Sequence, residues 1–327
     1  MYNRPETVLE QYELEIKDLT KGRGAYICDT DKGRKVLIPF RGSEERAEYL
    51  SEMLRRLTEY GFPAEQICLT REGEASAEDD LGVRYWLKDF TEGSECSTSR
   101  EEEMRGAVCE LACFHTAAAA VVPEAPKILL RVRSEPGELY GRHERELVKV
   151  KNYIYQRRSR NEPERLFLEQ YPYYIEQAGR AVSGIEESLS AEGATKTICH
   201  GAFHQHNILR RPEGMRIINF ETALWNEPVV DLANFVRKMM EKNQWDLKLG
   251  LGIIESYDRK RALSKKEWKL LFNILLFPEK FWKISNHYYN SHKAWISERD
   301  ISKFRQVAAA EAKRALFLEK MFLFLPK

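Results

Sequence analysis

The sequence predicts an α+β chain in two lobes, a small N-terminal lobe built on an antiparallel sheet and a larger, mainly helical C-terminal lobe. Two observations predict it. Strand-like alternation is confined to about the first 90 residues, and helical periodicity dominates after about residue 99. The length points the same way, because 327 residues exceed the usual size of a single hydrophobic core.

The N-terminal elements can be taken in order. YELEIKDL and GAYICDT alternate apolar and polar residues and are joined by the glycine-containing TKGRG. A second turn at Asp31-Lys32-Gly33 then leads into KVLIPF, which gives a three-stranded antiparallel meander. From Ser43 the period becomes helical. Ser43 caps, Glu44 and Glu45 suit the positive helix end, Ala47, Leu50, Leu54 and Leu57 share one face, and Gly61 and Pro63 stop it near Tyr60. Two further runs, QICLT and VRYWLKDF, complete a five-stranded N-terminal region over residues 1–90 with one helix. The polar segment 91–98, within TEGSECSTS, reads as a connection to a helical region spanning 99–327. One stretch interrupts those helices. NILRR and MRIINF flank Pro212-Glu213-Gly214, which makes a small hairpin within residues 200–221.

Composition excludes several function classes. Apolar residues are 43% and charged residues 31%, the balance of a folded globular protein. Lys plus Arg is 52 against Asp plus Glu 51, a net charge of +1, so nothing global attracts nucleic acid. The basic stretch Lys149–Arg160 is read as a solvated helix face, with anion contact as the alternative. No basic-then-apolar leader is visible in MYNRPETVLEQYELEI, and the longest apolar run, Leu270 to Phe277, is far short of the roughly 20 residues a membrane span requires. No membrane association is expected. The six cysteines contain no C-x-x-C pair; they are expected to be reduced and mostly buried, with Cys109 and Cys113 packing in the core one helical turn apart.

The motif that carries the functional reading runs from His200-Gly201-Ala202-Phe203-His204-Gln205-His206-Asn207 through Ile217-Ile218-Asn219-Phe220-Glu221 to Val230-Asp231-Leu232-Ala233. It resembles the H-G-D-x-x-x-x-N, I-D-F and D-L-A elements of aminoglycoside phosphotransferases and choline kinases. Leu111-Ala112-Cys113-Phe114-His115 looks like their L-A-x-F-H helix. In the C-terminal half, FVRKMMEKNQWD, IIESYDRKRALSKKEW and LLFPEKFWKISNHYYNSHKAW are similar to the spore-coat protein S (CotS) family of endospore-forming bacteria. The resemblance spans nearly the whole chain. It implies a protein-kinase-like fold of the aminoglycoside phosphotransferase type, with the hairpin carrying the catalytic and metal-binding loops.

In such kinases an Asp accepts the substrate hydroxyl proton, an Asn and a second Asp hold magnesium, and a Lys pairs with the nucleotide phosphates. In the aligned register the base position is Ala202 and the metal-binding Asp is Asn219. The strand that would carry the lysine reads Val36-Leu37-Ile38-Pro39, with Lys35 and Arg41 as the nearest cations. Only Asn207 is retained. General base catalysis contributes about 10² to 10⁴-fold and electrostatic stabilisation as much again, so losing both removes roughly 5–10 kcal/mol of barrier lowering.

The resemblance and the degenerate motif together imply a catalytically inactive scaffold of the spore coat. Its expected partners are other coat proteins, it is cytoplasmic before it joins the coat, and no metal or other cofactor is expected. Two alternatives stand beside it. One is an ATP-dependent phosphotransferase acting on an amino-alcohol or amino-sugar, with Glu221, His204 or His206 in unorthodox roles and Mg-ATP held by Asn207, Asn219 and Glu221. The other is a ligand-binding sensor without turnover. His200, His115 and Asp231 have structural readings: His200 belongs to the loop motif, and Asp231 is expected to lie buried behind that loop and to accept hydrogen bonds from it. A metal trio of His200, His204 and His206 is the lesser reading, because the last two are expected on an exposed loop. The ring-rich stretch Phe277–Trp282 with Tyr288 and Tyr289 is a candidate partner surface, with core packing as the alternative.

Overall fold

The computed structural model describes residues 5–22, 24–130, 135–191, 196–290 and 298–324. The chain divides into two compact units, Met1–Val132 with Lys196–Pro228, and Arg133–Thr195 with Val229–Lys327. This division differs from the expected boundary at 91–98, because the helix after residue 99 and the 200–221 hairpin group with the N-terminal sheet.

The first unit opens with a short helix that periodicity did not predict, α1 (Pro5–Leu9). The expected meander follows as β1 (Ile16–Lys21), β2 (Tyr26–Thr30) and β3 (Gly33–Phe40). Then comes α2 (Glu44–Glu59), capped by Ser43, whose side chain accepts from the Arg46 N–H. Ala47, Leu50, Leu54 and Leu57 are all buried, as their shared face requires.

The fourth and fifth strands are β4 (Ala77–Glu78) and β5 (Arg84–Asp89), and the sheet order is β1-β2-β3-β5-β4. QICLT is therefore not the fourth strand. It runs beside β5 through Asp89 N to Gln66 O (3.2 Å), Cys68 N to Leu87 O (2.8 Å) and one bridge between Ile67 and Lys88. A turn closed by Gly73 N to Thr70 O then carries the chain away, and β4 takes the edge. Alternation gives the sheet two faces. Leu37, Tyr85 and Leu87 join Val8, Leu9, Tyr12, Cys28 and Ala77 in one apolar cluster. On the other face Phe40 stacks on Trp86 at 4.5 Å, and Lys88 follows Trp86 on that same face.

The expected connection is itself part of a sheet. β6 (Ser94–Glu95) precedes α3 (Glu101–Val121) and pairs with β8 (Ile208–Arg211) once β7 (Thr197–Cys199) has passed. β8 turns through Pro212 and Glu213 into β9 (Gly214–Ile217), which confirms the hairpin, and β10 (Leu224–Asn226) returns to pair with β7. These bonds explain why the hairpin belongs to the first unit. On α3 the buried face carries Ala107, Leu111, Phe114, His115 and Ala118. Cys109 is only half-buried and Cys113 is exposed, which corrects the core reading of that pair; none of the six cysteines is in a disulfide.

The second unit consists, among the described residues, of helices: α4 (Pro136–Gln156), α5 (Glu162–Ser190), α6 (Val229–Lys242), α7 (Leu247–Lys260), α8 (Lys265–Leu276), α9 (Glu279–Asn290) and α10 (Glu298–Leu323). Capping boxes start two of them, Asn161 with Glu164 on α5 and Ser264 with Glu267 on α8. The basic stretch at the end of α4 is mostly exposed. No helix among the described residues is long and apolar enough to cross a membrane.

The aromatic stretch largely fills the interior of this unit. Phe281 is fully buried, stacked on Tyr174 at 4.4 Å and Phe167 at 5.3 Å with Phe304 at 6.0 Å, and Phe277 is buried against Tyr140 at 4.9 Å. Trp282 is half-buried, stacked on His143 with its Nε1–H donated to Glu146 at 2.7 Å. The reading of Phe277–Trp282 as a partner surface gives way to packing; the Tyr288 side chain and residues 291–297 lie outside the described residues. Phe281→Ala should therefore destabilise the protein by about 3–5 kcal/mol in urea denaturation. An unchanged midpoint would show that the ring does not hold α5, α9 and α10 together.

Candidate functional site

The His200–Asn207 and Ile217–Glu221 parts of the degenerate motif occupy one place in the first unit, assembled from β5, the segment after α2, and the loops on either side of the β8–β9 hairpin. The loop between β7 and β8 is shaped by His200. Its Nδ1 accepts from Ala202 N at 3.2 Å and its Nε2–H donates to Ile218 O at 2.9 Å, so one buried ring ties both sides of the hairpin. Gly201 follows with φ +75°, where a Cβ would lie 2.5 Å from Thr222 O; only glycine fits. Asp231 lies buried on α6 of the second unit, as its apolar frame requires.

Ala202 offers a methyl group at the expected base position. Asn207 Nδ2 donates to Ala202 O at 2.9 Å, and its Oδ1 accepts from Asn219 Nδ2 at 2.8 Å. Asn219 sits in the left-handed region at φ 69°, which Asn tolerates better than most residues, and its Oδ1 accepts from Lys88 Nζ at 2.7 Å. The Lys88 ammonium, only 4% exposed, also donates to Glu65 Oε2 at 2.8 Å. Glu65 closes the chain by accepting from Asn219 N at 3.0 Å and Phe220 N at 2.9 Å.

Lys88 and Glu65 were not among the residues the sequence singled out. The lysine was sought on β3, where Ile38 stands. Lys35 pairs with Asp89 across the β3–β5 register, and Arg41 is exposed. The ammonium that meets the motif is on the neighbouring strand. Its signal was present in VRYWLKDF, where strand alternation puts Lys88 on the same face as Trp86.

The remaining candidates are dispersed. Glu221 Oε2 lies 4.0 Å from Lys88 Nζ and makes no hydrogen bond, while its backbone carbonyl and that of Ala223 receive the Arg46 guanidinium. His206 is exposed and its Nδ1 meets Glu95 Oε2 of β6 at 2.6 Å. His204 Nε2 approaches Asn207 Nδ2 at 3.5 Å.

The electrostatics follow from burial. Burial pushes Glu65 up, but the Lys88 ammonium and the N–H groups of Phe220 and Asn219 outweigh it and hold the carboxyl below the usual range. For Glu221, burial and the Glu65 charge win over Lys88, and its pKa is raised. The chemical consequence is that both amide oxygens that the alternative reading gives to Mg-ATP, Asn207 Oδ1 and Asn219 Oδ1, already accept hydrogen bonds from within the protein.

Two predictions follow from these opposite shifts. Glu65 ionises more readily folded than unfolded, so its contribution is present above the unfolded value near 4.5 and is lost as pH falls through the lowered pKa. Glu65→Gln, which leaves Lys88 buried without its counter-charge, should cost about 3–5 kcal/mol at neutral pH. Glu221 is the reverse case, since the folded state keeps its proton to higher pH and stability falls as pH rises from about 4.5 through the raised pKa. Glu221→Gln should gain on the parent in urea midpoints as pH rises from about 4.5 through that raised pKa; a difference that does not change with pH would refute the raised pKa.

Comparison with known proteins shows what the chain as a whole is similar to. The chain aligns with spore coat protein S of Bacillus subtilis strain 168 at 24% identity over 94% of its own length and 89% of the relative. It aligns with the endospore coat-associated protein YutH of the same strain at 25% identity, over 88% and 84%. Among solved structures it is similar to an aminoglycoside phosphotransferase from Alicyclobacillus acidocaldarius, with TM-score 0.86, 19% identity, and 99% and 97% of the two chains covered. It is also similar to the spectinomycin phosphotransferase APH(9)-Ia in complex with ADP and spectinomycin, with TM-score 0.61, 14% identity, and 94% and 96% covered. At these identities the structural likeness establishes the kinase-like fold. The model of the family described as "Spore coat putative kinase YutH" matches residues 5–321, and the chain belongs to that family.

Proposed function

We propose that this protein is a kinase-fold component of an endospore coat that acts by holding other coat proteins and does not transfer phosphate. The coat role is supported by the names of its two Bacillus relatives and of its family. The observation that carries the non-catalytic part is Ala202. Its position in the loop is held by Asn207 and His200, yet its side chain is a methyl group that can neither accept a proton nor orient a hydroxyl.

The second metal position supports the same reading. Asn219 presents one neutral oxygen, and that oxygen is taken by the Lys88 ammonium. A phosphoryl transfer that depends on a base and on metal-bridged phosphates has neither here. With a net charge of +1 and no membrane-length helix among the described residues, coat proteins are the favoured partners over nucleic acid or lipid. On this reading the chain is cytoplasmic until the coat takes it up.

The test is a phosphoryl-transfer assay with radiolabelled Mg-ATP and a panel of amino-alcohols and aminoglycosides. The expected result is no phosphorylated product above the enzyme-free background. Product formation would overturn the proposal in favour of a small-molecule kinase in which Glu221 works as a displaced base.

A further inference from the structure

We propose that the Lys88 ammonium is the resident cation of this site, standing where a divalent metal would otherwise bridge Asn219 and the neighbouring carboxylates, so that the site neither needs nor accepts a divalent ion. The proposal deepens the non-catalytic reading and rests on it.

The argument begins with what surrounds Nζ. Three oxygens from two segments converge on it: Asn219 Oδ1 at 2.7 Å and Glu221 Oε2 at 4.0 Å from the turn after β9, and Glu65 Oε2 at 2.8 Å from the segment after α2. An ammonium has three donors and no acceptor, so an all-oxygen cage suits it as it would suit a hard cation. Behind the cage stands Asn207, whose Oδ1 is committed to Asn219 Nδ2. That bond fixes the Asn219 amide with its oxygen toward Lys88.

The direction of the Lys88 side chain is set by the fold. β5 pairs with β3 so that Val36 faces Lys88 and Ile38 faces Trp86, which leaves an apolar position on β3 and an ammonium one strand away on the same face. Glu65 is buried and could not remain ionised there without a cation, and Lys88 supplies it covalently. A divalent ion entering the same oxygens would lie within a few ångströms of a buried ammonium, and like charges at that range in a poorly solvated site repel strongly. Asn219 in place of a carboxylate follows from the same constraint: with one ammonium to balance, Glu65 provides the full counter-charge and a further anion is unnecessary.

The experiment titrates Mn²⁺ alone into the full-length protein, by calorimetry and by electron paramagnetic resonance, with circular dichroism to confirm folding. Wild type is expected to show no stoichiometric binding. Asn219→Asp, which supplies the metal-type carboxylate but keeps Lys88, should stay equally blind. The double variant Lys88→Ala/Asn219→Asp, with the ammonium removed and Glu65, Glu221 and Asp now facing one another, should bind one Mn²⁺ roughly 100-fold or more tighter than Asn219→Asp.

Stoichiometric Mn²⁺ on wild type that is lost in Glu221→Gln would overturn the proposal. So would Asn219→Asp binding as tightly as the double variant, or a folded double variant that gains nothing. If the double variant does not fold, the wild-type and Asn219→Asp titrations still decide, because both retain Lys88. Phosphorylated product from a Mn²⁺-blind wild type would sink the non-catalytic reading alone, and stoichiometric Mn²⁺ without product would sink this inference alone.

Discussion

A buried carboxylate in an apolar setting must be matched, and in the first unit Glu65 is the one on which the site depends. It sits beyond the end of α2 and reaches the Lys88 ammonium on β5 and the backbone N–H groups of Asn219 and Phe220 beside the hairpin. One side chain thereby fixes a helix-following segment, a strand and a loop that are far apart in sequence. Removing either charge leaves the other stranded out of water, which is why such pairs weigh more in a structure when broken than when formed. The left-handed turn at Asn219 and the 3₁₀ turn of Phe220–Thr222 behind it are supported on that carboxylate.

From this anchor the loop geometry is carried onward by neutral groups. Lys88 orients Asn219, Asn219 orients Asn207, and Asn207 holds the carbonyl of Ala202. His200 and Gly201 fix the same loop from its other end. In a phosphotransferase the corresponding positions owe their order partly to a metal and a substrate. Here order is intrinsic, because each donor is met by an acceptor inside the protein. The shape of a catalytic loop and its chemistry are separable properties, and the shape is held here by the chain's own hydrogen bonds.

The fold was legible where periodicity was long and caps were present. The meander, α2 with its Ser43 cap, α3 and the Pro212-Glu213 turn all follow from local pattern and local hydrogen bonding. What escaped was short or distant. α1 has five residues and β4 two, too few for any period to register. QICLT has strand propensity but forms only one bridge, since β-propensity is settled by which neighbour takes the sheet edge. Cys113 shares a helix with core residues yet lies outside the buried face. The site was half legible, because motif spacing located Ala202, Asn207 and Asn219 while the Lys88–Glu65 pair joins residues with no local relation. A lysine inside a strand of large apolar side chains was the available clue, and only its partner reveals its meaning.

A cation attached to the chain has a thermodynamic consequence that a bound one lacks. A protein whose site is completed by metal or nucleotide gains stability in proportion to the logarithm of ligand over dissociation constant, so its order follows the supply of ligand. Lys88 is present at one equivalent in every folded molecule, and the cost of desolvating it is met within the fold by Glu65 and Asn219. Through Asn219 and Asn207 the β7–β8 loop is then tied to a cation that the chain itself carries. For an enzyme that would be a handicap, since turnover requires the phosphate-bearing ligand to be bound, reorganised and released. A protein whose role is to present a fixed surface within an assembly has the opposite requirement, and a site that closes on its own lysine satisfies it.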